Sequence, residues 1–341
     1  TNPNIQVKLT GDKSLSKRSM KKIIKVMEEF GAEYFPKNKF HFPLTLVSSE
    51  LPVGIKHVAG ISSQIKSATI LAGLNAFGKT TIIEKIKSRD HTERMFRKFG
   101  IPIEIKKSNF NKTISVSPPT EIRPTNLEIC SDFSSAAFFI LAAIITPNSH
   151  LLIKKVGVNK TRIGFLTALK EMGGYVIIKN LSEGYEPTAD IEVKSSKLNG
   201  ITLDPKLVPN INDEMPALFI AAALAEGTTQ IRGVQELRVK ESDRLEVMSK
   251  SLGLFGVPYI ISEDGIDITG LNQSLPDSNT KEPFNEAEID SFGDHRIAMA
   301  SAIGALRSRG QCRIKNCENV TTSFPTFLEV ADELGLNITT D

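Results

Sequence analysis

The sequence predicts an α/β fold of two domains, each assembled from a repeated strand–helix unit whose apolar helices pack inside a shell of sheets. Three observations carry that prediction. A segment recurs five times: a basic or hydroxyl-rich turn, an amphipathic helical stretch, then Phe-Gly, Met-Gly or Leu-Gly and a strand. Between these copies lie four helical stretches rich in small residues and apolar nearly all round, which belong in the middle of a domain. Their spacing is regular: Ser62 to Asp132 is 70 residues, Asp132 to Asn212 is 80 and Asn212 to Asp294 is 82, the size of a supersecondary unit.

Taken in order, the chain opens on Thr1 and enters a strand-like run, Ile5 to Leu9, almost at once. The first amphipathic copy is GDKSLSKRSMKKIIKVMEEFGAEYF from Gly11 to Phe35. The others begin at Lys87 (KSRDHTERMFRKFG), Val158 (VNKTRIGFLTALKEMGG), Gln235 (QELRVKESDR, followed by Leu245, Met248, Leu252 and Phe255 at helical spacing) and Thr321 (TTSFPTFLEVADELG). Each ends in Gly at the C′ position, where a helix most readily turns into a strand. The apolar helices begin at Ser62 (SSQIKSATILAGLNAFG), Ser131 (SDFSSAAFFILAAIITPNS), Ile211 (INDEMPALFIAAALAEG) and Asp294 (DHRIAMASAIGALRSRG).

One unit reads as strand, buried helix, strand, surface helix, then strands, as in Thr80 to Ile86, the helix at Thr92 to Phe99, Pro102 to Lys106 and Lys112 to Val116. Pro118, Pro119 and Pro124 place the domain boundary near 125 to 131. The expected domains are 1–128 and 129–341, the second holding three repeats. The first holds fewer than two, so it reads as incomplete.

Composition narrows the function. With 40% hydrophobic and 24% charged residues the chain is an ordinary globular one. A formal charge of +3 without any basic tract argues against a nucleic-acid surface. Cys130, Cys312 and Cys317 form no CxxC pair, as expected of reduced thiols in a cytoplasmic protein. The longest apolar run, Ala136 to Ile145, is about half the length needed to span a bilayer. His57, His91, His150 and His295 have no metal-ligand spacing. Neither a GxxxxGK[ST] loop nor a GxGxxG turn is present, so no nucleotide or other cofactor is expected.

The chemistry-bearing residues cluster just before or inside helix starts: Arg18, Ser62, Ser63, Gln64, Ser88, Arg89, Asp213, Lys240, Glu241, Arg244, Asp294, His295 and Arg296. In QELRVKESDR, Ser242 and Asp243 suit the N-cap and first turn of a helix, which sets a positive dipole end beside Lys240, Glu241 and Arg244. Helix N-termini with cations and hydroxyls bind phosphate and carboxylate without a metal. Each residue also has a plainer reading. Asp213, Asp294 and the Ser62–Ser63 pair can simply cap their helices, and Arg18 can be a surface charge. The same placement in successive units favours a site, because independent caps do not need Arg, Lys and Glu in company.

The motifs SSQIKSATILAGL, SRDHTERM, SDFSSAAFF, INDEMP, ELRVKESDR, DHRIAMA and TSFP resemble, in order and spacing from Gly11 to Leu336, those of the 5-enolpyruvylshikimate-3-phosphate synthase family. The resemblance implies the two-domain enolpyruvyl transferase fold of βαβαββ repeats, an inside-out α/β barrel. It implies transfer of the carboxyvinyl group of phosphoenolpyruvate to the 5-hydroxyl of shikimate 3-phosphate, by addition and then elimination through a tetrahedral ketal phosphate. It also implies a protein that is a monomer when complete, with the small molecules shikimate 3-phosphate and phosphoenolpyruvate as its partners.

By similarity, Asp213 is the base on the hydroxyl and Glu241 the acid and base at the methylene carbon, with Lys240 steadying Glu241 and contacting the shikimate ring. Arg18, Gln64, Arg244 and Arg296 resemble the phosphoenolpyruvate cradle, and His295 is placed to contribute. Ser62, Ser63, Gln64 and Ser88, with Asp213 and Lys240, resemble the shikimate 3-phosphate contacts.

Departures are specific. The family's N-terminal substrate-binding motif is absent, so about the first hundred residues are expected to be missing. Ser19 stands where the family usually has Pro, and Thr322 where some relatives have Lys. The competing readings are the sister UDP-N-acetylglucosamine carboxyvinyltransferase, which KESDR and DHRIAMA fit less well, and an inactive anion-binding remnant.

Overall fold

The structure, a computed structural model, describes residues 1–272 and 282–340. The chain divides into two compact units, Thr1–Glu128 and Ile129–Asp341.

The first unit runs β1 (Gln6–Leu9), α1 (Lys13–Lys17), α2 (Lys21–Glu29), β2 (Glu33–Phe35), β3 (Leu44–Val47), β4 (Lys56–Ala59), α3 (Ser63–Ala72), β5 (Thr80–Glu84), α4 (His91–Lys98), β6 (Ile103–Lys107) and β7 (Lys112–Val116). From β4 to β7 this is one βαβαββ unit. Its sheet has the order β4-β5-β7-β6, parallel only between β4 and β5. The sheet β1-β3-β2 repeats the order β5-β7-β6, so β1 to β3 has the form of the second half of the same unit. The basic, hydroxyl-rich turn at GDKSLSKRSM contains the short helix α1 and is separated from α2. Arg18 is extended, with ψ 140°, and the Met20 N–H is taken by the Phe40 carbonyl at 2.7 Å instead of a preceding helical turn.

The second unit runs α5 (Phe133–Ile145), β8 (His150–Gly157), α6 (Gly164–Glu171), β9 (Tyr175–Glu183), β10 (Pro187–Lys194), α7 (Met215–Leu224), β11 (Thr228–Arg232), α8 (Arg244–Leu254), β12 (Tyr259–Ile261), β13 (Gly265–Thr269), β14 (Glu288–Asp290), α9 (His295–Ala305), β15 (Arg313–Lys315), α10 (Asn319–Ser323) and α11 (Phe327–Glu333). Sheets β8-β10-β9 and β11-β13-β12 keep the same order, and β14 pairs with β15 in parallel around α9, as β4 does with β5 around α3. Ahead of α5 and α7 the leading strand shrinks to isolated parallel bridges such as Ser131 with Val156 and Thr202 with Gln230. The barrel is therefore not closed: the described strands form separate sheets of two to four.

The core of the second unit is a packed set of α5, α7 and α9. All ten residues of α7 and twelve of the thirteen in α5 are buried, which is why neither stretch needed a polar face. Gly304 lets α9 approach α7 closely, since a Cβ there would lie 3.0 Å from Ile220 Cδ1. Polar side chains are consequently pushed to the helix ends.

All five expected C′ glycines, Gly31, Gly100, Gly173, Gly256 and Gly335, have φ between +67° and +93°. Each closes its helix with two backbone bonds; after α8 these are Gly256 N–H to the Gly253 carbonyl and Val257 N–H to that of Leu252. Gly335 has open space around a would-be Cβ, whereas at Gly256 it would meet Asn285 Nδ2 at 2.6 Å. Gly335→Ala should cost about 1 kcal/mol of backbone strain and Gly256→Ala more, by about another 1 kcal/mol, read from urea-unfolding midpoints. Equal losses would mean that Asn285 moves aside freely.

Candidate active site

In the second unit, carboxylates ahead of three successive helices, α7, α8 and α9, gather on one guanidinium. After β11 the chain makes a 3-10 turn, Gln235–Val239, and Lys240 is extended before α8 begins. Asp243 is the cap, its Oδ1 accepting the Glu246 N–H at 3.0 Å. The cap thus falls one residue later than Ser242, whose hydroxyl is left to donate to Asp294 Oδ2 at 3.2 Å. Arg238 braces the turn by donating to Asp243 Oδ2 and to the Ser262 and Glu263 carbonyls.

Arg244 is 1% exposed. Its Nε donates to Asp294 Oδ2 at 2.8 Å and its Nη2 to Glu241 Oε2 at 2.6 Å, while Nη1 lies 3.8 Å from Asp213 Oδ1 and makes no hydrogen bond. Asp294 does two jobs: it is fully buried, and its Oδ1 also caps α9 by accepting the Arg296 N–H at 3.0 Å. Asp294 is thus the cap that the plainer reading offered, but a buried one that also holds Arg244. Asp213 is not a cap, since α7 begins at Met215 behind Glu214.

The electrostatics follow from this packing. Burial alone would lower the Arg244 pKa, but Asp294, Glu241 and Asp213 outweigh it and raise it above the ordinary value. Lys240 is lowered by burial, with Arg244 adding to the effect against the nearby carboxylates. His295 is lowered by burial and by Arg296, so its ring is neutral at pH 7.

Glu214 escaped the sequence reading. It is 1% exposed and accepts a short hydrogen bond from the Ser134 hydroxyl; Ser134 Oγ in turn accepts from Arg162 Nη2 at 2.5 Å. Burial, with Asp213 beside it, pushes its pKa up to about 7. Position alone did not signal it, since Asp132, immediately ahead of the equally apolar α5, is exposed.

The first unit holds a cavity of about 320 Å³ lined by Ser63, Gln64, Ser67, Ala68, Leu71, Arg89 and His91. Ser62 caps α3, its Oγ accepting the Ile65 N–H at 3.4 Å. Ser88 donates both its N–H, at 3.0 Å, and its hydroxyl, at 2.5 Å, to Glu84 Oε1. Arg18 is exposed at the end of α1 and, like Ser62 and Ser88, is not among the residues lining this cavity. Behind the cavity wall lie Lys66, Glu84 and Glu93, all buried, which the sequence reading did not single out. Among the described residues no group of His, Cys, Asp and Glu is arranged to hold a metal ion, and no helix is long and apolar enough to cross a membrane.

A family model described as EPSP synthase (3-phosphoshikimate 1-carboxyvinyltransferase) matches residues 1–331. The chain belongs to that family. It is similar to the 3-phosphoshikimate 1-carboxyvinyltransferase of Hydrogenovibrio crunogenus, with 42% identity over 98% of this chain and 74% of the relative. The enzyme of the same name from Coxiella burnetii is 42% identical over 97% of this chain and 72% of its own. Among solved structures, the EPSP synthase of Acinetobacter baumannii superposes with a TM-score of 0.83 at 41% identity, over 97% of this chain and 74% of that one. The enolpyruvyl transferase NikO of Streptomyces tendae, at 17% identity and a TM-score of 0.72, shares the fold. The chain spans about three quarters of the length of the EPSP synthases it matches.

Glu214 makes a pH prediction. Between pH 4.5 and about 7 the folded EPSP synthase chain holds a proton on this carboxyl that the unfolded chain releases. Stability therefore falls as pH rises through that window, by up to about 3 kcal/mol. Glu214→Gln removes the titration at nearly constant shape, so its urea midpoint should stay flatter than wild type from pH 4.5 to 8. Parallel profiles would show that Glu214 ionises normally.

Proposed function

We propose that this protein transfers the carboxyvinyl group of phosphoenolpyruvate to the 5-hydroxyl of shikimate 3-phosphate and releases phosphate, the reaction for which its relatives are named. The hydroxyl oxygen adds to C2 of phosphoenolpyruvate as the methylene C3 takes a proton, giving a tetrahedral ketal phosphate. C3 then loses a proton, the C2–O bond to phosphate breaks, and the enol ether forms. Two proton-transfer groups are required, together with positive charge for two phosphates and a carboxylate.

The observation that carries the reading is the buried Arg244, which meets carboxylates on two edges and leaves Nη1 without a hydrogen bond. A guanidinium so placed has a donor to spare for one more anionic oxygen. We assign Asp213 to the proton of the attacking hydroxyl and Glu241 to the proton at C3, both being partly exposed beside Arg244. Lys240 steadies Glu241 and meets the shikimate ring. Arg244 holds phosphoenolpyruvate with Arg18, Gln64 and Arg296, and His295 contributes as a neutral donor or acceptor. Ser62, Ser63, Gln64 and Ser88 go to shikimate 3-phosphate. Ser62 still has its hydroxyl proton to donate, whereas Ser88 gives its N–H and hydroxyl to Glu84.

Phosphate release with both substrates tests this. Wild type should turn over, and Asp213→Ala and Glu241→Ala should each lower turnover by at least about 100-fold while shikimate 3-phosphate binding changes little. Normal turnover in either variant would remove that residue from its role. Arg244→Lys keeps the charge but loses the fork, and should raise the KM for phosphoenolpyruvate by at least about tenfold.

A further inference from the structure

Three buried charges and a partly exposed fourth, Lys112, form a closed ring in the first unit that the assigned reaction does not use. Lys66 Nζ donates to Glu84 Oε1 and to Glu93 Oε1, each at 3.0 Å. Lys112 Nζ closes the ring, 3.2 Å from Glu84 Oε2 and 2.8 Å from Glu93 Oε1. The side chains of Lys66, Glu84 and Glu93 are at most 2% exposed. Two lysines and two glutamates cancel, so no net charge is buried. Burial would raise the Glu84 carboxyl, but the Ser88 hydrogen bond and the charges of Lys66 and Lys112 outweigh it and hold it below the usual carboxylate range.

Such a ring is not needed for stability, because well-packed apolar residues commonly serve a core as well or better. Its remaining bonds show what it does hold. Lys66 Nζ also donates to the Arg89 carbonyl at 2.6 Å, and Glu84 Oε1 also accepts the Ser88 N–H and hydroxyl. These bonds all end on the Ser88–Arg89 turn, which leads into α4. Arg89 and His91, on either side of the α4 cap residue Asp90, line the cavity with Ser63, Gln64 and Ser67. Lys112, by contrast, touches the ring from its solvent side, with 19% of its side chain exposed.

We propose that Lys66 and Glu84 are positioning residues for shikimate 3-phosphate: they clamp the Ser88–Arg89 turn from behind, so that Arg89 is presented to the cavity in a fixed direction before the substrate phosphate arrives. This rests on the functional reading above and extends it to two residues that do not touch substrate. A preset cation binds with less loss of side-chain freedom than a mobile one, so the clamp acts on affinity and not on the proton transfers.

The test compares Glu84→Gln, which loosens the turn at nearly constant shape, with Lys112→Met, which removes a ring charge without touching the turn. Glu84→Gln should raise the KM for shikimate 3-phosphate by at least about tenfold, with kcat and the KM for phosphoenolpyruvate within about threefold of wild type. Lys112→Met should leave all three within about threefold, whatever its effect on melting temperature. Equal KM increases in the two variants, or no increase in Glu84→Gln, would overturn the proposal. If Glu84→Gln does not fold, Lys66→Met and Lys66→Arg carry the same comparison, with Arg expected to recover part of the affinity that Met loses. If the wild-type protein transfers no carboxyvinyl group, the functional reading fails separately. The clamp is then read from amide exchange at Ser88, Arg89 and Asp90, which Glu84→Gln should speed and Lys112→Met should not; equal rates would overturn it.

Discussion

The buried Arg244 guanidinium is the interaction on which the second unit's polar end depends. An isolated charge at that depth would be untenable, and Asp294, equally buried, supplies its counter-charge at 2.8 Å. Because Asp294 also caps α9, the pair locks the start of α8 to the start of α9. Glu241 is drawn to a second edge of the guanidinium, and Asp213 stands near the third. The starts of three helices in two successive repeats thus converge on one cation. The core beneath explains the location, since α7 and all of α5 beyond its first turn are apolar, so the charged groups sit at the helix starts.

The two units manage buried charge differently. In the first, Lys66, Glu84, Glu93 and Lys112 close on themselves, and the bonds left over brace a turn. In the second, the cluster around Arg244 stays open, with Nη1 lacking a hydrogen bond and two of its carboxylates partly exposed. The closed ring has no donor to spare at its centre, whereas the open cluster leaves one guanidinium donor without a hydrogen bond. Glu214 belongs to neither. It stays largely protonated below neutral pH because burial and Asp213 disfavour its charge, which spares the start of α7 a second full negative charge.

Local signals in the sequence were read well. The five C′ glycines turn at positive φ, Lys112 to Val116 is the strand that the repeat unit called for, and the apolar helices are the core. What was missed is non-local. The Phe40 carbonyl that takes the Met20 N–H between α1 and α2 comes from a later loop. Leading strands that shrink to bridges, and sheets that do not close, depend on how neighbouring repeats meet. Of the candidate site, the Arg244 cluster was legible because its residues repeat at helix starts. Lys66 and Glu84 were not, being eighteen residues apart and ordinary in their own segments. Ser88 looked like a free phosphate donor because nothing local shows that Glu84 already holds it.

The central claim is addition to phosphoenolpyruvate followed by elimination, with a proton delivered to the methylene carbon and another removed. Running the reaction in D2O and recording the vinyl positions of the product by NMR tests it most directly. The account predicts deuterium in the product's vinyl group, because the transient methyl passes on either isotope. Phosphate release with a vinyl group free of deuterium would contradict it.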